Sequence, residues 1–363
     1  DPLTDAPMPD AAEPAAEWQQ HSDAAGHLHT DLVIPRDTTL AALNATSVLP
    51  GPDAVYVAET ANTVEDLAEI APLVPASTTA LVTEADPTLD RDLAEWRADL
   101  SDRPRLTVLG PVRLRLGRGG QPTAGIKRVA YYTEIAAYLA TRPHGATADE
   151  LITALGITAE RVRVDLHTLR TRLGINPAND RYFVPKASDN PESDVRNEGI
   201  YLVDDLLCDA NLFRRLRLRG EAAGAAGIND LAEALRLVTG TPYEQLRRRG
   251  GLWLAESRDD QHLLVAIVDV AHLVTSHALA AGDLKRARAA AELAHAVAPN
   301  EVTPQLDLAA IAEHEGSPDA ADRIAREAID WLDGTGEGPM DVGERADRIL
   351  RAHRRLERKG RVS

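Results

Sequence analysis

Between Thr147 and Gly174 the chain sets its helix starts and stops so close together that a tight helix-turn-helix is the natural way to use them. Thr147-Ala-Asp-Glu150 is a capping box, in which the threonine oxygen accepts from the Glu150 amide while the Glu150 carboxylate reaches back. The short helix it opens ends at Leu155, because Gly156 follows. Thr158 then caps a longer helix that runs to Leu173 and is closed by Gly174. Ahead of this pair, Lys127–Thr141 places Val129, Tyr132, Ile135, Ala136 and Leu139 at helical spacing and stops before Pro143 and Gly145. Arg105–Leu116 alternates on Leu106, Val108, Val112, Leu114 and Leu116, which predicts two short strands about Gly110-Pro111. Tyr182–Val184 and Ile200–Val203 are expected to pair as a hairpin around a polar loop. Strands, three helices and a hairpin in that order make a winged helix-turn-helix over 103–205.

The same stretch differs in charge from the rest. Arg103–Lys186 holds 14 Lys/Arg against 6 Asp/Glu, a net of +8, inside a chain of net charge −17. Residues 1–102 carry −17 and residues 187–363 carry −8. A basic island in an acidic protein is an electrostatic footprint, and duplex phosphate is what such a footprint most often meets.

With 363 residues the chain is expected to hold two or three domains. Aromatic residues make up only 4%, so Ala and Leu must do most of the packing, which favours close helices and a mainly α fold. The single Cys208 excludes an internal disulfide and fits a reducing, cytoplasmic setting. No run approaches the roughly 20 apolar residues of a membrane span, so no membrane contact is expected of this part. The acidic, Ala- and Pro-rich start does not read as a signal peptide, and a chain opening on Asp1 is expected to be cut from a longer protein.

Residues 1–28 read as a disordered acidic tail or linker. Residues 29–102 read as a small acidic α/β unit, with strands at Ala54–Val57 and Thr79–Thr83 and helices at Val64–Leu73 and Leu89–Leu100. This unit could shield the basic face in an off state. Residues 206–363 read as a helical domain of tetratricopeptide-like repeats. Gly282 and Gly316 lie 34 residues apart, and Ala287, Ala291 and Ala294 match Ala321, Ala325 and Ala328 in phase. Pro299 would close the first repeat, whereas Asp333 stands at the matching place in the second.

Five fragments in this order resemble the antibiotic-regulator family of actinobacterial transcriptional activators. They are Leu106-Thr-Val-Leu-Gly-Pro-Val112, Leu166-His-Thr-Leu-Arg-Thr-Arg-Leu-Gly174, Ala234-Leu-Arg-Leu237 with Gly240, Ile267-Val-Asp-Val-Ala-His272 and Ala281-Gly-Asp283. The likeness covers about 105 to 355. It implies a response-regulator-type winged helix followed by a bacterial transcriptional activator domain, with RNA polymerase or a second protomer as partner of the repeats. Related large proteins carry the same pair behind membrane and cell-wall-binding segments, and the chain resembles such a cytosolic tail.

In a helix-turn-helix the last helix enters the major groove. On a helical wheel, Val162, Leu166, Leu169 and Leu173 form the buried stripe, and Glu160, Val164, His167 and Thr171 face the groove. Arg163 and Arg170 border one edge, Arg161 and Arg172 the other, and Arg181 and Lys186 follow in the wing. Flanking arginines reach phosphates, which gives salt-dependent affinity without sequence information. The central face offers no Arg, Asn or Gln for bidentate base contacts. The expected DNA-binding set is therefore Arg161, Arg163, His167, Arg170, Thr171, Arg172, Arg181 and Lys186. Duplex DNA would be bound weakly and with steep salt dependence. The alternative reading is a signalling scaffold or adaptor whose winged helix no longer reads DNA. Arginines packed under neighbouring segments would favour it.

Enzyme motifs are weak. Gly120-Gln-Pro-Thr-Ala-Gly125-Ile126-Lys127 imitates a phosphate loop, but Ile126 stands where the lysine must be and no Ser or Thr follows Lys127. Asp269 and His272 sit three apart on an apolar helix, where a satisfied core pair is the plainer reading. His27 and His29 lack further ligands at metal spacing. No enzyme activity, cofactor or metal is expected.

Overall fold

The computed structural model describes residues 76–120, 128–190, 193, 198–246 and 250–333, and they are mostly helical. The expected tail over 1–28, the strand at 54–57, the helix at 64–73 and the phosphate-loop imitation over 121–127 lie outside the described residues. Two helices open the described chain, α1 (Ala76–Ala85) and α2 (Leu89–Arg97). The strand expected at Thr79–Thr83 is therefore a helix. Its β-branched residues are accommodated because the Thr83 hydroxyl donates back to the Thr79 carbonyl at 2.9 Å, and that of Thr79 reaches the Ala222 carbonyl at 2.8 Å.

Next come β1 (Arg105–Thr107) and β2 (Arg113–Arg115), paired antiparallel with Leu106 opposite Leu114. Then follow α3 (Val129–Ala140), α4 (Ala148–Leu155) and α5 (Ala159–Leu173). The capping box opens α4 as expected: Thr147 Oγ1 accepts from the Glu150 amide at 3.2 Å and Glu150 accepts from the Thr147 amide at 2.7 Å. Gly156 closes α4 in the left-handed region at φ 62. Thr158 is the N-cap of α5 by position, but its side chain makes no capping hydrogen bond.

The wing departs from expectation. β3 (Ile175–Asn176) and β4 (Arg181–Tyr182) form a small antiparallel hairpin of their own. Tyr182–Val184 does not ladder with Ile200–Val203; the Phe183 carbonyl accepts from the Asp204 amide, one residue past that stretch, at 2.7 Å. Tyr201 instead exchanges both backbone bonds with Ala146, each 2.8 Å. The cause is chemical. Pro185 has no amide to give a ladder, and the Arg170 side chain occupies the carbonyls of Val184 and Pro185.

β5 (Leu207–Cys208) then joins β1 in parallel, giving the sheet order β2-β1-β5. It leads directly into α6 (Asp209–Ala222), followed by α7 (Ile228–Arg236), the short α8 (Leu254–Ser257) and α9 (Asp259–Ala280). The last helices are α10 (Leu284–Val297), α11 (Val302–His314) and α12 (Pro318–Asp333). Two helical hairpins, α9 with α10 and α11 with α12, keep the 34-residue phase. Gly282 and Gly316 both end their helices at positive φ, 73 and 76. Ala287, Ala291, Ala294 and Ala328 are buried where the helices come close, while Ala321 and Ala325 are half-buried.

Helix α9 corrects the sequence reading of membrane spans. It is long and apolar enough to cross a membrane, with a stretch of mean hydropathy 1.8, but 61% of that stretch is buried against its neighbours. Within it, His272 Nδ1 lies 2.7 Å from Asp307 on α11, so the core pair anticipated with Asp269 has a different carboxylate. Asp269 faces Arg217 instead, at 3.5 Å.

One apolar core runs from Leu106, Ile135 and Leu169 through Phe213 and Leu216 to Ile267 and Val270, and a smaller cluster of Ala278, Ala287, Ala291 and Ile311 lies between the helical hairpins. The winged helix is thus fixed on the helical region. Asp209 seals the junction, its carboxylate accepting from the amides of Val108 (2.8 and 3.0 Å), Leu109 (3.0 Å) and Ala210 (2.8 Å). From the other side, Thr239 and Tyr243 donate to the carbonyls of Leu109 and Val108, both at 2.7 Å. Gly110 is required between them: its φ is +148, and a β-carbon there would stand 2.2 Å from Thr239 Oγ1.

Helices α1 and α2 dock on α6, not on α5. Arg215 grips Asp86 with Nε and one terminal nitrogen (2.8 and 2.7 Å) and Asp92 with the other at 2.9 Å, while Arg103 binds Asp92 at 2.6 Å and Asp205 at 2.9 Å. Leu89 and Leu93 enter the common core. The described part of the acidic unit therefore covers α6 and does not shield the basic face.

Candidate nucleic-acid interface

Helix α5 separates its two faces cleanly. Val162, Leu166, Leu169 and Leu173 are buried as the wheel requires. Glu160, Arg163, His167 and Thr171 are exposed, and Val164 in the middle of this face is 56% exposed.

A residue absent from the expected set fixes the helix in place. Asp165 is buried and accepts from Tyr131 (3.0 Å), Tyr132 (3.4 Å), Arg161 (2.9 Å) and Arg128 (3.5 Å). Arg128 also lies over the Tyr131 ring, 4.1 Å from its centre. Burial, with the Asp165 charge beside it, raises the Tyr132 hydroxyl above its ordinary range, so it remains a donor. The available signal was the Arg161/Asp165 spacing of four, which marks a helical ion pair.

The expected DNA-binding residues fall into two groups. Arg163, His167, Thr171, Arg181 and Lys186 are exposed and Arg172 is half-buried. None of the cations Arg163, Arg172, Arg181 and Lys186 forms an ion pair among the described residues. Arg170 departs from expectation: its Nε donates to the Val184 carbonyl at 2.6 Å and its terminal nitrogen to the Pro185 carbonyl at 2.7 Å. It holds the wing against α5 and does not project to solvent. Arg161 is compromised in a different way, because its 45%-exposed side chain is ion-paired to Asp165. The hydroxyls of Thr168 and Thr171 turn back onto the helix, donating to the carbonyls of Val164 (2.9 Å) and His167 (3.0 Å).

The head of α5 has the opposite character to its flank. A cleft of about 500 Å³ opens between the starts of α4 and α5 and the returning wing, lined by Asp149, Glu160, Glu198, Arg163 and Tyr201. Three carboxylates there repel phosphate, so an anionic partner is favoured further along α5 and at the wing. Among the described residues no cluster of side chains has the makings of a metal site.

No protein-family model matches the chain, and no curated protein matches it. One similar solved structure is that of Mycobacterium tuberculosis EmbR in complex with a low-affinity phosphopeptide, at 19% identity and a TM-score of 0.49. The match covers 69% of this chain and 65% of that one. A likeness this slight carries neither fold nor function across.

Proposed function

We propose that this chain is a cytoplasmic transcriptional regulator that binds duplex DNA through its winged helix, with the helical hairpins offering a surface to a protein partner. The observation supporting it is the outer face of α5: exposed along its length, bordered by Arg163 and Arg172, and followed by Arg181 and Lys186 in the wing. The protein partner, RNA polymerase or a second protomer, is carried only by the sequence resemblance.

Filter binding of the full chain to duplex DNA at two salt concentrations tests this. Four phosphate contacts predict that affinity drops about a hundredfold between about 50 and about 200 mM salt. Binding that ignores salt, or no binding at the lower concentration, contradicts the proposal.

A second reading, an adaptor that does not read DNA, has its own observations. Arg161 and Arg170 serve the internal structure, and Asp149, Glu160 and Glu198 crowd the helix head. It predicts no duplex affinity at either concentration.

A further inference from the structure

Between its flanking arginines, the exposed face of α5 holds no side chain suited to bidentate hydrogen bonding with a base edge. Along it run Glu160, Val164, His167 and Thr171. Val164 presents two methyl groups at 56% exposure, on a face that nothing else in the described chain covers. The Thr171 hydroxyl spends its one donor on the His167 carbonyl at 3.0 Å, which leaves the side chain a γ-methyl and acceptor lone pairs but no proton to give a base. The face is therefore methyl-bearing, flanked by the cations that would seat it on phosphate.

Resting on the DNA-binding reading above, we infer that Val164 and Thr171 read thymine through its 5-methyl group in the major groove. Thymine is the only standard base that projects a methyl there, and apolar side chains are its natural contacts. Seven residues of helix advance about 10 Å, close to three base-pair steps of about 3.4 Å. The two side chains therefore suit thymines about three steps apart on a helix lying along the groove. Glu160, a turn before Val164, adds preference against phosphate and not for it. Recognition of this kind has no donor or acceptor requirement, so it selects thymine-rich sequence in a graded way.

The test uses duplexes that differ only in that methyl. Full-length chain is titrated at low salt against alternating dA·dT duplex, its dA·dU counterpart, alternating dG·dC duplex, and the same with 5-methylcytosine. The expected result is affinity about fourfold higher for each methyl contacted, with thymine above uracil and 5-methylcytosine above cytosine. Val164→Ala should shrink both ratios while leaving the salt slope unchanged, and Val164→Thr, which keeps one methyl, should restore part of them. Equal affinity for thymine and uracil duplexes, with a steep salt slope retained, overturns the methyl reading and leaves phosphate binding standing. Absence of binding to all four duplexes overturns both, and a Val164→Ala variant that discriminates as strongly as the natural chain overturns the assignment to this residue.

Discussion

Arg170 donates from its guanidinium to the carbonyl of Val184, 2.6 Å away and fourteen residues along the chain, and so joins the last turn of α5 to the wing. A second bond to the Pro185 carbonyl, 2.7 Å, makes the grip two-pronged. The positive charge that by sequence belongs to a DNA-facing edge is thereby used to orient the segment that follows it.

Replacing Arg170 and Arg163 should accordingly separate stability from binding. Arg170→Ala leaves two carbonyls without donors and is expected to lower unfolding free energy by about 2–4 kcal/mol in urea titration. Arg163→Ala should leave stability within about 0.5 kcal/mol and reduce the DNA salt slope by about one. An unaltered melting curve for the Arg170 variant would show that the wing is held by other means.

Asp165 is the anchor of α5. Asp165→Ala removes the acceptor shared by Tyr131, Tyr132, Arg128 and Arg161 from a buried position. The expected loss is about 3–5 kcal/mol, read as a fall in the urea midpoint. Asp165→Asn keeps one acceptor oxygen and should lose less.

Asp92 makes stability fall in acid. Burial pushes its carboxyl up, but hydrogen bonds from Arg103 and Arg215 more than reverse this and hold it at about 2, below the ordinary 3.8. A depressed carboxyl contributes stability that is complete above its unfolded value and lost as pH falls through the folded one. Unfolding free energy measured from pH 5 to pH 2 should therefore drop more steeply in the natural protein than in Asp92→Asn.

Asp209 acts with the opposite sign. Burial drives its carboxyl up to about 7, against the pull of the Val108, Leu109 and Ala210 amides. A raised carboxyl favours the fold below its unfolded value of 3.8, and that contribution declines as pH climbs through about 7. Between pH 4 and pH 8 the natural protein should lose stability in a way that Asp209→Asn, already uncharged, does not. Parallel pH profiles for the two would contradict this.

Gly110→Ala tests the junction between winged helix and helical region. A β-carbon at φ +148 would collide with Thr239 and approach the Gly240 amide at 3.0 Å. The cost should reach about 2 kcal/mol or more, with a broadened unfolding transition if the two parts separate.

Local signals carried far along this chain. The capping box at Thr147, the stop at Gly156, the stripe from Val162 to Leu173 and the glycine phase of Gly282 and Gly316 each depend on residues within a turn or two, and each is found in the structure. Period and capping are properties of neighbouring residues, so the amino-acid order determined the order of helices and which face of α5 meets solvent.

Side-chain partners were decided elsewhere. Whether Arg170 points to solvent or to the wing depends on where Val184 and Pro185 come to rest, and His272 finds Asp307 only because α9 and α11 pack together. The threonine-rich stretch at Thr79–Thr83 became a helix once the Ala222 carbonyl was there to take the Thr79 hydroxyl. Long polar side chains reach several ångströms past their own helix, so their destinations are fixed by the packing of distant segments, which no local pattern encodes.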